Sequence, residues 1–208
     1  MTEALELVRA GGPASVTLRE VARRLEVSPA ASYRHFPDRD ALLADVARLA
    51  RRELANRMLE EVARVAEPDP RSGSVRRLLA VGRGYLAFAA DEPNLLAAAF
   101  LPARLADGED EQPNPWHILA AALDELVAMG AMPLERRAGA ESIAWSAVHG
   151  FAVLRASGAF ASSGEHDPDS ERLLDAIARA LDVAGVTAWA GCSTRSGAPM
   201  NRRTRHPK

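Results

Sequence analysis

Two helix-start signals follow each other closely near the beginning of the chain, and they restrict the structure of this stretch to a pair of short helices. Thr17 stands three residues before Glu20, the spacing of a capping box, in which two side chains satisfy free backbone amides. Ser28 then caps a second helix that has Pro29 at its first position. A helix from Pro29 to His35 is very short, and isolated helices below about 12 residues are marginal in water. The rest of the chain must therefore hold this second helix in place.

The remaining pattern is helical throughout and predicts an all-α protein of about nine helices. Val and Ile do not alternate with polar residues over any run, and Ala, Leu, Arg and Glu are abundant. We expect the first three helices to form a compact unit over residues 1–50 and the others a larger helical body over 51–190. The predicted helices span residues 3–10, 17–25, 29–35, 39–66, 74–90, 93–101, 116–129, 133–159 and 169–184.

The charge distribution favours some functions over others. A net charge of -2 argues against a protein that coats nucleic acid without specificity. Residues 1–57 hold ten Arg and eight acidic residues, whereas residues 58–191 hold eleven Arg and twenty acidic residues, so a mildly basic head precedes an acidic body. Residues 191–208 are basic and almost free of apolar side chains, which predicts a disordered tail.

Cysteine content and hydropathy indicate the compartment. The single Cys192 excludes an intrachain disulfide and a cysteine-based metal cage, which is typical of a reducing cytosol. No charged-then-apolar signal segment opens the sequence, and no apolar run reaches about 18 residues. We expect a soluble, cytoplasmic protein with no membrane partner.

The paired caps predict a helix-turn-helix, whose second helix can enter the major groove of DNA. Capped helix pairs also occur in helical proteins that bind no nucleic acid, so spacing alone leaves both interpretations open. Residues 28–43, SPAASYRHFPDRDALL, closely resemble the DNA-binding signature of TetR-type (TetR/AcrR) transcriptional regulators. In that signature a short recognition helix is closed by Tyr-x-His-Phe, and a basic residue opens a long helix. The stretch AWSAVHG at 144–150 is similar to the Trp-His-Gly (WHG) signature of one C-terminal domain subtype in the family.

The resemblance, which covers residues 4–50, implies a DNA-binding domain over 1–50 with its motif at about 17–36. Tyr33, His35 and Arg39 would bind phosphates, Ser28 and two alanines would face base edges, and Arg34 would distinguish one family member from another. Phosphate contacts fix the register on DNA, whereas base contacts specify the sequence. The residues that the resemblance assigns to DNA are Thr17, Arg19, Ser28, Pro29, Ala30, Ala31, Tyr33, Arg34, His35 and Arg39.

Three positions depart from the family pattern. Glu26 occupies a turn position that is Gly in most relatives, and a non-Gly residue in the left-handed conformation costs about 1 kcal/mol. Ser32 replaces an apolar residue before Tyr33, which weakens the packing of the recognition helix. Ala30 and Ala31 offer only methyl contacts, for instance to thymine, so sequence preference would depend on few contacts and on DNA shape.

Aromatic and histidine side chains on several helices of the body predict a cavity for an apolar effector with a few polar handles. Each of them is, taken singly, also a normal core residue. His117 and His149 make a poor metal site because no carboxylate lies at ligand spacing, so we expect no metal and no cofactor. The predicted cavity residues are Tyr85, Phe88, Phe100, Trp116, His117, Trp145 and His149.

Catalysis is not expected. Ser146 and His149 lie three residues apart, but the chain has no nucleophile elbow, glycine-rich phosphate loop or metal-binding run. The resemblance instead implies a homodimeric repressor that binds a palindromic operator and is released by a small apolar effector, with residues 133–159 and 169–184 forming the dimer interface. The alternative is a helical dimer that does not bind DNA and acts as an adaptor or small-molecule binding module, which Glu26 and the two alanines favour.

Overall fold

The computed structural model describes residues 1–101, 113–159 and 168–185, and within these ranges the chain is helical without a strand. The all-α prediction is confirmed, and the described part contains nine α-helices. Short 3-10 turns cover Pro13–Ser15 and Leu134–Arg136. The predicted tail 191–208 lies outside the described residues. The helices are α1 (Thr2–Gly11), α2 (Leu18–Arg24), α3 (Pro29–Tyr33), α4 (Arg39–Ala63), α5 (Pro70–Asp91), α6 (Pro93–Ala99), α7 (Pro115–Ala128), α8 (Ala140–Ala156) and α9 (Pro168–Ala180).

The predicted start of the fifth helix at residue 74 is wrong, because α5 begins at Pro70. Asp69 Oδ2 accepts a hydrogen bond from Ser72 N at 2.7 Å, so the aspartate caps the helix. Pro70 occupies the first helical position, where a missing backbone N–H costs nothing. The proline that suggested a break is therefore the start signal of α5.

The predicted helix over 133–159 is also wrong at its start. Gly139 has φ 79 and ends the preceding turn in the left-handed conformation, so α8 begins only at Ala140. The guanidinium of Arg137 ties this turn to both neighbouring helices, since it donates to Asp124 on α7 and Glu141 on α8, at 2.6 Å each. At the other end of the body, Asp182 with φ 54 stops the last helix before the predicted limit at residue 184.

The turn between α2 and α3 has the geometry that the sequence predicts. Thr17 Oγ1 accepts a hydrogen bond from Glu20 N at 3.1 Å, which forms one half of the capping box. The Glu20 carboxylate accepts from the guanidinium of Arg23 at 2.7 and 2.9 Å. Glu26 has φ 55, and Val27 N donates to the carbonyl of residue 22, so the turn is a Schellman motif with a non-glycine residue in the left-handed position.

The long helix α4 belongs to the head and to the body, so the predicted domain limit at residue 50 falls inside one helix. Leu42, Val46, Leu54 and Met58 are fully buried along α4 and join one continuous hydrophobic core. α5 packs against α4 at backbone distance, because a Cβ built on Gly84 would lie 2.6 Å from the Cα of Met58. α6 packs on both α1 and α4, which places it between the head and the body.

Candidate nucleic-acid interface and internal cavity

The short helix α3 is held by its ends and by one buried face. Ser28 Oγ accepts a hydrogen bond from Ala31 N at 3.3 Å. Ser32 is buried, and its carbonyl accepts hydrogen bonds from His35 N and Phe36 N at 3.0 Å each. Phe36 is half-buried and packs against the main core. These contacts stabilise a helix of five residues that could not form alone.

The opposite side of α3 is exposed. Tyr33 has 53% of its surface exposed, and Ala30, Arg34 and His35 are exposed beside it, whereas Ala31 is half-buried. Phenol, guanidinium and imidazole groups are donors of the kind that bind phosphate oxygens and base edges. The residues at the end of α3 therefore present several hydrogen-bond donors to solvent.

Two further predicted contact residues lie at the start of α2. Thr17 caps the helix and Arg19 lies in its first turn, and both side chains are exposed. Pro29 is the first residue of α3, as the cap of Ser28 predicts. Nine of the ten residues that are predicted to contact DNA therefore lie on α2, on α3 or next to these two helices.

Arg39, the tenth predicted contact, has backbone partners inside the head. Its Nε donates to the carbonyl of Val16 and its Nη2 donates to the carbonyl of Pro13, both at 2.7 Å. The side chain therefore fastens the first turn of α4 to the segment that precedes α2. The contact between Arg39 and a phosphate stays a prediction. The structure adds a second role for Arg39, the stabilisation of the fold, which the sequence did not indicate.

Charges on α2 are paired locally. Hydrogen bonds from Arg23, with a further one from Arg24, lower the pKa of Glu20 to about 2. Arg23 has a raised pKa for the same reason. Both partners stay ionised over the physiological range, so this pair adds no net charge to the surface that contains Arg19 and Arg34.

An aromatic cluster lies inside the body and joins five of the seven predicted cavity residues. Trp145 on α8 is at its centre, and its ring centroid lies 5.5 to 5.7 Å from those of three other rings. The ring centroid of Phe100, directly after α6, lies 4.8 Å from that of His149. Edge-to-face arrangements at these distances stabilise aromatic pairs. The members of the cluster are Tyr85, Phe100, Trp116, Trp145 and His149.

Tyr85 and His149 supply a hydrogen-bonded pair within this cluster. The Tyr85 hydroxyl lies 2.7 Å from Nδ1 of His149. Burial raises the pKa of Tyr85 and lowers the pKa of His149, so the phenol keeps its proton and the imidazole stays neutral. The phenol oxygen and Nδ1 therefore share one hydrogen bond, whose direction is set by the tautomer of the neutral imidazole.

A cavity of about 40 Å³ borders the cluster between α4, α5, α7, α8 and α9, with room for a few water molecules. None of the described residues that line it carries a charge. Tyr85 and Trp145 border it, as the sequence predicts, beside apolar residues that include Met58, Gly82, Leu119 and Leu174.

Phe100, Trp116 and His149 belong to the aromatic cluster but are not among the residues that line the cavity, and the two remaining predicted cavity residues lie elsewhere. Phe88 is buried and borders a polar cleft between α4 and α5. His117 lines an open groove on the outer side of α4 and α7, with Leu59 and Ile118. The structure therefore does not bring Phe88 and His117 into the aromatic cluster.

Polar contacts connect the body to the head through α6. The guanidinium of Arg9 on α1 contacts Glu53 of α4 at 2.7 Å and Glu92, which precedes α6, at 3.2 Å. Asn94 Nδ2 donates to the carbonyl of Arg9 at 2.9 Å. At the other end of α6, Arg51 of α4 donates to the carbonyl of residue 99 at 2.9 Å. The same helix thus contacts the head at both ends and leads directly into the aromatic cluster.

Sequence reasoning missed Arg9 and most of the residues that line the cavity. Leu174, Leu119 and Met58 occur at ordinary helical spacing, so their pattern does not separate a cavity wall from a packed core. Arg9 belongs to a short helix with other charged residues, and its partners lie far away in sequence. Only the packing of α6 against α1 brings these groups together.

Two features are absent from the described ranges. His, Cys, Asp and Glu side chains do not gather in groups of three that could bind a metal ion there. Among the same residues, no helix combines the length and the apolar content that crossing a bilayer requires.

Comparison with known protein families gives two matches along the chain. Residues 1–46 match the family model described as bacterial regulatory proteins, tetR family. Residues 78–181 match the model described as tetracyclin repressor-like, C-terminal domain. No curated protein sequence matches significantly.

Solved structures share the fold. A protein of unknown function from Rhodococcus sp. RHA1 superposes with a TM-score of 0.62 at 25% identity, over 87% of this chain and 92% of the other. A candidate regulatory protein designated SCO4313 superposes with a TM-score of 0.56 at 23% identity, over 86% of this chain and 91% of its own.

Proposed function

The chain belongs to the TetR family of bacterial regulatory proteins, and from this premise we propose that it is a homodimeric transcriptional repressor released from its operator by a small effector. It binds double-stranded DNA in the cytoplasm and catalyses no reaction. The body is of the Trp-His-Gly (WHG) subtype, and the protein requires neither a metal nor another cofactor.

One observation carries the DNA-binding part of this proposal. α3 is anchored through Ser32 and Phe36, and it presents Tyr33, Arg34 and His35 outward. A helix presented in this way fits the major groove, where donors at its end contact phosphates and base edges. Tyr33 and His35 fix the register on the backbone, and Arg34 supplies the contact that discriminates among sequences.

A stripe of exposed residues on α8 supports the homodimer. Ile143 and Val153 have 51% and 48% of their surface exposed, and Leu154 is exposed beside them. Among the described residues, a Cβ built on Gly150 meets no atom within 4 Å apart from the backbone of its own helix, so the middle of the stripe is open to a second helix. Residues at this spacing share one face of a helix. A two-fold axis through α8 and α9 would bring two heads to a palindromic site.

The contacts of α6 support the effector response. Phe100 contacts the aromatic cluster, while Glu92 and Asn94 contact Arg9 in the head. Phe100 also contacts Trp145, which lines the cavity, so a molecule that binds there and displaces Trp145 acts on α6 and, through it, on α1 and α4. The protein has one arrangement that binds the operator and one that does not. The effector changes the affinity for the operator by a factor that the ratio of the effector's own affinities for these two arrangements sets.

The test is binding of the full-length chain to the DNA that flanks its own gene, measured by fluorescence anisotropy at several salt concentrations. Tyr33→Ala should weaken binding to all sequences, whereas Arg34→Ala should change the preference among sequences. Arg52→Ala is the matched control for Arg34→Ala, because Arg52 is exposed on α4 away from α3. Lack of any sequence preference at low salt would contradict the proposal and would favour a helical binding module that does not use DNA.

A further inference from the structure

Leu174 on α9 fits into a notch on α5 that exists because residue 82 is glycine. A Cβ built on Gly82 would lie 2.3 Å from Cδ2 of Leu174, and both residues line the internal cavity. Leu174 is buried, with 4% of its surface exposed. One of its methyl groups thus occupies the position that a side chain on residue 82 would take. These two residues set how much space the cavity offers.

We propose that this cavity takes an uncharged, largely aromatic effector, and that Leu174, seated against Gly82, limits the size of the molecule that enters. The inference rests on the proposed function, because it names the chemical class that the same regulator responds to. It also assigns a specificity-determining role to two residues that the sequence pattern did not single out.

The lining excludes ionised ligands. Among the described residues that border the cavity, the polar side-chain groups are the hydroxyl of Tyr85 and the indole N–H of Trp145. A charge buried there would lose its hydration without meeting a group of opposite charge, which is costly. The Tyr85 hydroxyl is hydrogen-bonded to His149, and nearly all of the cavity surface is apolar. An uncharged molecule with an apolar ring therefore fits the lining chemistry.

The small volume of the cavity is the reason why the position of Leu174 limits the size of the ligand. About 40 Å³ is far below the roughly 300–1,000 Å³ of pockets that bind drug-sized molecules, so a ligand needs more room than the resting structure provides. The other walls are formed in part by α4 and α5, whose backbones are in contact at Gly84 and Met58 and cannot separate easily. The end of the Leu174 side chain can move by a change of rotamer, without a shift of either backbone.

Two substitutions change the volume in opposite directions. Leu174→Ala removes the side chain that closes the notch and enlarges the cavity. Gly82→Ala adds a methyl group and forces Leu174 into the remaining space, which reduces the cavity. The neighbouring Leu173 is half-buried and packs on the core without lining the cavity, so Leu173→Ala is the matched control.

The experiment uses isothermal titration calorimetry of the full chain without DNA, with 1-naphthol as the neutral probe and naphthalene-1-sulfonate as the charged one. We expect 1-naphthol to bind Leu174→Ala about ten-fold more tightly than the wild type and Gly82→Ala about ten-fold more weakly. The double variant Gly82→Ala, Leu174→Ala should return toward the wild type, because the new methyl group replaces part of the lost leucine. The sulfonate should bind every variant at least about ten-fold more weakly than the naphthol.

Three results would overturn the inference: sulfonate binding as tight as naphthol binding, an equal gain in Leu173→Ala, or no naphthol binding by either the wild type or Leu174→Ala. Leu174→Val, which removes less volume, should show a smaller gain in the same direction and replaces Leu174→Ala if that variant fails to fold. Operator binding is measured separately. A chain that binds naphthol as expected but no DNA contradicts the proposed function alone, and the opposite pattern contradicts this inference alone.

Discussion

The Tyr85 hydroxyl and Nδ1 of His149 are hydrogen-bonded across 2.7 Å, and the pair joins α5 to α8 inside the apolar body. The pair lies beside Phe100, so it borders the segment through which α6 reaches the aromatic cluster. Burial keeps the phenol protonated and the imidazole neutral, because it raises the pKa of Tyr85 and lowers that of His149. The hydrogen bond therefore depends on the protonation state of one histidine.

Stability should fall in acid in part because of His149. The folded protein holds the pKa of His149 below 6.5, so below that pH the unfolded chain binds more protons and the free energy of unfolding decreases. His149→Asn keeps an acceptor near the Nδ1 position and does not titrate. Between about pH 7.5 and about pH 5.5, the melting temperature of this variant should fall by less than the melting temperature of the wild type. His35→Asn, at an exposed position, should behave like the wild type, and an equal change in both variants would contradict the prediction.

Gly84→Ala should destabilise the protein by about 1–3 kcal/mol, because the new methyl group would meet the backbone of α4 at Met58 and overpack the core. Urea unfolding followed by circular dichroism measures the change. Gly73→Ala lies in the same helix, where the three atoms nearest to the new methyl group belong to the guanidinium of Arg77, at 3.1 to 3.5 Å, which is paired with Glu125 but can shift by a few tenths of an ångström. That control should be neutral or slightly stabilised, since alanine favours helix by about 1 kcal/mol over glycine. Equal effects of the two substitutions would refute close packing of α4 on α5.

Arg39→Ala should lower the free energy of unfolding by about 2–3 kcal/mol, because it leaves the carbonyls of Pro13 and Val16 without their charged donor. Chemical denaturation without DNA measures this effect separately from any phosphate contact. Arg52→Ala removes the same charge from an exposed position on α4 and should change stability by less than about 0.5 kcal/mol. Unchanged stability in Arg39→Ala would mean that the guanidinium acts on DNA alone.

Two substitutions of Glu26 separate strain from charge. Glu26→Gly should stabilise the head by about 1 kcal/mol, since glycine adopts φ 55 without strain. Glu26→Gln keeps the strain and removes the carboxylate, so it should raise DNA affinity at low salt with little change in melting temperature. If Glu26→Gln left DNA affinity unchanged at every salt concentration, the carboxylate would have to point away from the duplex.

Ile143→Glu should convert the proposed dimer to a monomer, because a charge on the exposed stripe of α8 would be buried without a partner in the proposed interface. Sedimentation equilibrium should give a dimer dissociation constant that is at least about ten-fold lower for the wild type than for the variant. Leu59→Glu, at a residue that is 41% exposed on α4, is the matched control and should leave the mass unchanged. A variant that stays dimeric would place the interface away from Ile143.

Local signals in the sequence were sufficient for the helical fold and for the outline of the head. Thr17 and Ser28 cap α2 and α3 as predicted, and Glu26 adopts the left-handed conformation that the missing glycine implies. These features depend on a few consecutive residues, so a single sequence contains the information. The start of α5 was missed because Pro70 can end one helix or begin another, and only the Asp69 cap decides which.

The cavity was predicted only in part, for a physical reason. Aromatic residues such as Trp145 are easily recognised in a sequence as candidates for a cavity wall. Such a wall consists mostly of aliphatic side chains, however, and their spacing is the same as in any packed core. The notch at Gly82 requires that α9 return to α5, a contact between distant segments that no local pattern encodes. The same limit applies to Arg9 and Glu92, whose pairing follows from the packing of α6.

The bonds from Arg39 to the carbonyls of Val16 and Pro13 link the first turn of α4 to the segment between α1 and α2. In the proposed dimer, we expect this link to let each head move as one unit, so that its base contacts stay the same while its position along the duplex changes. The proposed effector would then alter the preferred number of base pairs between the two halves of the operator, and leave the sequence of each half unchanged. Operators that differ only by one inserted central base pair should thus rank differently with and without the effector.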